Sequence, residues 1–290
     1  MENDKDLQYS KDLADRAHRD SLLIVEFIMQ DVVPCLDPRS YRNLRPLAII
    51  GVYSRLLAWA YSMESWKIVT YYQAAAAATR SMLEFTADLV FLSNDPTSNT
   101  ANKIMDWADS AKLRSAEALV EYFSERANKP LPQVHRFAAK FIKENQIRIQ
   151  EKRKEWGWTK KSGETTHPMR WTNSRLVIDL RAADVLMSYH IERHLGISLE
   201  EFYETEYRAL CWQVHGTGMT DILGAEASYF NYARNAHLLW CSCFIMLCTE
   251  IILDEFGRIG DSIPRRIREQ SESLVNTLAD RRKDFWSEGN

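Results

Sequence analysis

The sequence predicts an all-α protein built as a multi-helix bundle. Three observations lead to the all-helical class. Only 10 glycines and 8 prolines stand among 290 residues, about half the usual share of helix breakers. Apolar residues recur at three- and four-residue intervals along most of the chain, the period of an amphipathic helix. One run, Ala74 to Ala78, is alanine alone, the residue of highest helix propensity.

Each element follows from its own signals. Residues 4–33 carry Leu13, Leu22, Ile24, Val25, Phe27 and Ile28 at helical spacing and are expected to stop before Pro34. A second helix is predicted from Tyr41 to Met63, with Pro46 tolerated in its first turns. A third runs from Ser65 to Leu92 and meets the turn signal Asn94-Asp95-Pro96. The fourth spans Ser98 to Asn128. The fifth, Pro132 to Trp156, is amphipathic and ends at Gly157. Residues 157–173 form a clear non-helical connection. Helix resumes from Ser174 to Leu195 and breaks at Gly196, after which Ser198 and Glu201 predict a capping box for a helix over 199–215. A glycine-rich turn leads to a long apolar helix, 225–255, and a charged helix from about Ser262 closes the chain. The prediction is a single helical domain over 1–290, with the basic helix and loop of 130–173 as an excursion within it.

Composition narrows the function. Net charge is −3, so no global field draws the chain to nucleic acid or to an anionic membrane. The five cysteines show no disulfide framework and no CxxC pair, which fits a reducing, cytoplasmic setting. The acidic N-terminus does not read as a signal peptide. Leu238–Leu253 is the longest apolar run, but it falls short of a bilayer span and holds Glu250. A buried central helix is therefore expected, and no membrane partner. No nucleotide-binding glycine loop, serine-nucleophile elbow or zinc-finger spacing is present, so no cofactor and no metal is predicted.

Four constellations could carry chemistry. On the alanine-rich helix Ala75, Ala78, Met82, Phe85, Leu89 and Leu92 make a core stripe, beside a narrow polar stripe holding Arg80, Glu84 and Asp88. That stripe is either a solvated i,i+4 ion pair or the lining of a cleft. The second is FYETEYRALCWQVHGTG. Arg208 and His215 stand two turns apart, about 10 Å along one helix face, with Tyr207 one step round. Arginine can hold a phosphate and histidine can move a proton near pH 7, although a histidine at a helix end is also a common cap. The third, His190-Ile-Glu-Arg-His194, lacks the zincin order and is predicted to be an exposed, charged helix end. The fourth is the basic segment Arg136–Lys161. There Lys152, Arg153, Lys154, Lys160 and Lys161 alternate with Trp156 and Trp158, a pattern that either grips single-stranded RNA or forms a solvated face.

Two of these pieces resemble a known family. RSMLEFTADLVFL, with Arg-x-x-x-Glu, and YETEYRALCWQVHG, with Tyr…His-Gly, resemble the two signature helices of a bacterial family of helical proteins of unknown function. The tryptophan of HPMRWTNSR fits the pattern between them, and Cys211 stands where the family often has serine. A more distant similarity is to HEPN proteins, many of them metal-independent ribonucleases with Arg-x(4–6)-His at a helix end. Arg208 and His215 fit that spacing, with Ala209 where a polar residue is usual. The resemblance implies that His215 moves the proton of a ribose 2′-hydroxyl while Arg208 steadies the phosphate, across a homodimer. It further implies a HEPN-like core with extra helices, and a bacterial toxin or phage-defence role with a protein partner. On this reading the alanines let the Arg80/Glu84 helix press on the Arg208/His215 helix, so that Glu84 orients one of them. The alternatives are a non-catalytic interaction module held by a structural Arg80/Glu84/Tyr207/His215 network, and a small-molecule sensor lined by the same residues.

Overall fold

The computed structural model describes residues 16–36, 43–65, 72–124, 133–207, 209–211, 227–259 and 263–287, and among them every regular element is helical. Helix α1 covers 16–27 and continues as a π turn, Ile28–Val32, and a 3₁₀ turn, Val33–Cys35. Pro34 thus sits inside the helical segment. It stands near the start of the tight turn, where a missing N–H costs nothing. Then come α2 (Leu44–Ser62), α3 (Tyr72–Asn94), α4 (Asn99–Ser124), α5 (Gln133–Glu155) and α6 (Leu176–Leu195). Pro46 lies in the first turn of α2, as predicted. The short α7 (Leu199–Phe202) runs into a π turn, Tyr203–Tyr207, and α8 (Ala227–Ile259) and α9 (Arg265–Ser287) complete the order. The chain divides into two compact units, Met1–Pro96 with Val177–Asn290, and Thr97–Leu176. The predicted 130–173 excursion falls within the second.

In the first unit α8 is the centre. Every residue from Ala233 to Phe256 is buried except Glu250 and Asp254. The stretch Ala233–Gly257 is long and apolar enough to cross a membrane, yet all of it except Glu250, Asp254 and Gly257 is buried among the chain's own helices. Its three cysteines behave as small hydrophobes, since burial pushes the thiols of Cys241, Cys243 and Cys248 up to about 12.

The alanine-rich face of α3 packs on α8. Ala75, Ala76, Ala78, Met82, Leu89 and Leu92 are fully buried. Thr79 meets Cys241 at 3.2 Å and Thr86 meets Cys248 at 3.2 Å. Both pairs advance by seven residues, so the two helices run parallel in a heptad-like register. Each threonine also donates to its own helix, to the carbonyls of Ala75 and Met82, which keeps a buried hydroxyl satisfied. Helix α2 runs antiparallel to α8. Tyr53 meets Thr249 at 2.7 Å, and Arg45 reaches Glu255 at the far end. Ser21 on α1 meets Ser242 at 3.0 Å.

Burial on α8 also makes the fold sensitive to acid. Desolvation pushes the His237 imidazole down to about 4, whereas the unfolded chain titrates near 6.5. The folded form therefore refuses a proton that the unfolded form accepts. Stability is full above about pH 6.5 and falls as pH drops toward 4, by about 2 kcal/mol at pH 5. In urea unfolding at pH 7 and pH 5, His237→Asn should lose less on acidification than the wild type. Equal losses would show that His237 does not set this dependence.

In the second unit α4 and α5 are antiparallel, with Asp106 opposite Trp156 and Asp109 opposite Arg148. Gly157 adopts φ 68°. Its N–H donates to the carbonyl of Lys154, and that of Trp158 to Arg153, the paired bonds of a Schellman cap. The cap turns the chain so that Trp158 is fully buried. A bridge between Thr159 and Thr165 then folds the loop back, and the Trp107 indole holds the Pro168 carbonyl at 2.9 Å.

Candidate functional site

The α7 segment begins with two overlapping caps. The Ser198 hydroxyl accepts from the Glu201 N–H at 3.0 Å, as the sequence predicted. The Asp184 carboxylate accepts from the N–H groups of Leu199 and Glu200 at 2.8 and 3.0 Å. The helix then widens into the π turn Tyr203–Tyr207. Such turns recur at functional sites because they re-aim side chains, and here Tyr207 is delivered to α3.

Its phenol lies between two charges of the polar stripe. Arg80 Nε donates to Tyr207 Oη at 3.0 Å, and Tyr207 Oη donates to Glu84 Oε1 at 3.0 Å. Arg80 and Glu84 themselves are 3.9 Å apart. The guanidinium also lies over the Tyr207 ring, 5.5 Å from its centroid, and Tyr203 stacks on that ring at 4.9 Å. Burial and the Glu84 charge push the Tyr207 hydroxyl well above its usual range, with Arg80 only partly offsetting them. The phenol is therefore a fixed proton donor to Glu84. Arg80 is held further toward its charged form by Tyr207 and Glu84, against the effect of its own burial. Tyr207 is 7% exposed, while the side chains of Arg80 and Glu84 are 31% and 34% exposed. The cluster is thus anchored at its phenol and open at its charges.

Of the residues singled out in the sequence, Arg80, Glu84 and Tyr207 are brought together. Arg208 and His215 lie outside the residues whose side chains are described. The expected packing of the alanine run on the Arg208/His215 helix falls outside the described residues, and the run has a further partner. Its fully buried face meets α8, because a five-residue stretch of small side chains allows the closest backbone approach to the most apolar helix of the fold.

The His190–His194 segment is corrected outright. His194 is buried, not exposed. Its Nε2 lies 2.9 Å from Glu250 Oε2, and its Nδ1 is 2.8 Å from the His190 carbonyl. His190 stands 3.8 Å from the same carboxylate, and Arg193 bridges Glu250 and Glu272 at 3.2 and 3.1 Å. Burial alone would raise the Glu250 carboxyl, but His194, Arg193 and His190 outweigh it and hold it below the ordinary range. Three helices, α6, α8 and α9, are joined there. The signal available in the sequence was the lone glutamate inside the apolar run. Among the described residues no group of three or more His, Cys, Asp or Glu side chains could hold a metal ion.

The basic segment is also reordered. Arg153 is buried, donating to Ser110 Oγ at 2.8 Å and to the Ser110 carbonyl at 3.2 Å, so it cannot meet a phosphate. Trp156 donates to Asp106 at 2.8 Å, and the Lys103 ammonium lies over its ring at 5.7 Å. Lys152 pairs with Glu155 at 2.7 Å and Lys160 with Glu164 at 2.8 Å. Lys154 and Lys161 are exposed. The aromatic residues of this segment serve the unit's own packing, and lysines remain at its surface.

Fold and site together define an all-helical protein whose exposed Arg–Tyr–Glu cluster joins the third helix to the segment that follows Gly196. Residues 48–229, well over half of the chain, match the model of a family of unknown function, DUF5677. The chain belongs to that family, and the matched region contains the Arg80–Glu84 and Tyr207 helices. No curated protein and no solved structure matches the chain.

Proposed function

We propose that the protein is a metal-independent endoribonuclease of the HEPN kind, or an RNA-binding effector built on the same site, acting as a cytoplasmic homodimer. The observation that carries the reading is the Arg80–Tyr207–Glu84 contact, about one third exposed at both charges. The partial exposure leaves the guanidinium and the carboxylate accessible to a ligand. Tyr207 immediately precedes Arg208 in the chain, so the contact holds the neighbour of that arginine against α3. In this mechanism His215 takes the proton of a ribose 2′-hydroxyl, whose oxygen attacks the adjacent phosphorus. The 5′-oxygen leaves with a proton, and Arg208 with Arg80 neutralises the charge that builds on the phosphoryl oxygens. The HEPN resemblance supports a bacterial toxin or phage-defence setting with a protein partner.

The test compares wild type and His215→Ala for cleavage of labelled single-stranded RNA in EDTA, after circular dichroism shows both to be folded. The expected result is cleavage by the wild type and a loss of at least ~100-fold in the variant. Tyr207→Phe, which removes only the hydroxyl, should also slow cleavage. If the wild type does not cleave and Tyr207→Phe is merely less stable, the cluster is a structural network of an interaction module.

A further inference from the structure

A cavity of about 480 Å³ opens beside the π turn, within the first unit. That volume lies in the range of small-molecule sites. Trp240 of α8 is 3% exposed and forms an apolar wall together with Leu195 and Ile197. The Trp240 indole is braced edge-on by Phe202, 4.9 Å between centroids. Four charged residues also line the cavity, Glu201 and Glu206 from the α7 segment and Arg282 and Lys283 from α9.

These charges are not equally committed. Arg282 donates to the carbonyls of His194 and Arg193, closing the C-terminus of α6. Its guanidinium is packed under Gly196, where a Cβ would stand 3.2 Å from it. Lys283 lies 3.6 Å from Asp280. Glu206, by contrast, has no hydrogen bond or ion pair to any described residue. Burial with no compensating charge holds its carboxyl above the ordinary glutamate range. Arg282 is thus taken up by the chain itself and Lys283 projects 79% exposed at the rim, while the Glu206 carboxylate lines the cavity beside the apolar wall.

We infer that the cavity binds a small amine, an apolar or aromatic body seated against Trp240, Leu195 and Ile197 with its ammonium on Glu206. The carboxylate attracts an ammonium, more strongly in a partly desolvated site, while Trp240, Leu195 and Ile197 receive the apolar body. Glu201, at the exposed edge, adds a second negative charge. The π turn presents Glu206 to this cavity and Tyr207 to Arg80 and Glu84, so the amine site and the Arg–Tyr–Glu cluster share one short segment.

The test is calorimetric titration of the full chain with tryptamine. Tryptophol and indole-3-acetate serve as probes with the same ring but no ammonium. Tryptamine should bind at one site per chain, at least tenfold more tightly than either analogue. Glu206→Gln, nearly isosteric, should weaken it at least tenfold. Ala279→Leu, which fills the cavity and leaves Glu206 in place, should do the same in a protein that circular dichroism shows to be folded. The inference is overturned if tryptamine does not bind at millimolar concentration, if tryptophol binds as well, or if Glu206→Gln binds unchanged. No RNA enters this measurement, so its result is separate from that of the ribonuclease test.

Discussion

Arg45→Met should destabilise the first unit by about 3 kcal/mol or more, the cost of leaving a buried carboxylate without its partner. Glu255 is 2% exposed on α8 and is met by Arg45 at 2.7 and 2.8 Å through two guanidinium nitrogens. The same guanidinium donates to the carbonyls of Leu92 and Ser93 at 2.8 Å each, at the C-terminal end of α3. One side chain from α2 therefore neutralises a charge on α8 and closes the end of α3. Methionine keeps much of the aliphatic stem and removes all of these bonds. Urea unfolding gives the free energy, and the melting temperature should fall by about 6–12 °C for a unit of this size. The double variant Arg45→Met/Glu255→Leu should recover more than half of the loss, because the stranded charge goes with it. A loss below ~1 kcal/mol in the single variant would mean that water reaches Glu255 and that the pair is only a surface contact.

Ala75→Leu should cost about 1–3 kcal/mol, the range for forcing extra carbon atoms into a packed core. Ala75 is fully buried, and its carbonyl lies 4.0 Å from Cys241 Sγ and accepts from Thr79. Nothing longer than a methyl group fits where two parallel helices approach so closely. The added side chain must push α3 away from α8 or adopt a poor rotamer, and either response loosens the Thr79–Cys241 and Thr86–Cys248 contacts. Cys241 offers a direct readout. Its thiol, fully buried in the wild type, should react measurably faster with a thiol reagent in folded Ala75→Leu. Unchanged reactivity and stability would show that the alanines are there for helix propensity and not for close approach.

Much of this architecture was legible in the sequence, and the legible parts share a cause. Gly157 and Gly196 end helices at positive φ, where glycine alone is unstrained. Ser198 caps α7, and Asn94-Asp95-Pro96 ends α3, because these signals act over three or four residues. The burial of α8 followed from its composition, since no other face of the protein could solvate Leu238–Leu253. Arg80 and Glu84 were readable as a pair because i and i+4 are neighbours on any helix.

What the sequence could not supply was the identity of the facing surface. His194 looked like part of a charged helix end, and it is buried because Glu250, 56 positions later, needs cations around it. Arg153 and Trp156 looked like a nucleic-acid grip, and they turn inward because α4, the antiparallel partner of α5, offers Ser110 and Asp106. The π turn before Tyr207 and the break at Met187, φ −143° and ψ 34°, leave no mark in local pattern. By itself, then, the sequence determined the helical class, the stops that carry a glycine or a turn signal and which helix is central, since propensity, capping and hydrophobic burial are local or compositional. Only the tertiary structure decided that the alanine face belongs to α8, that Tyr207 bridges Arg80 and Glu84, and that Glu206 faces an apolar cavity. Those outcomes depend on contacts between residues on different helices, from about thirty to more than a hundred and fifty positions apart, whose energies no single helix contains.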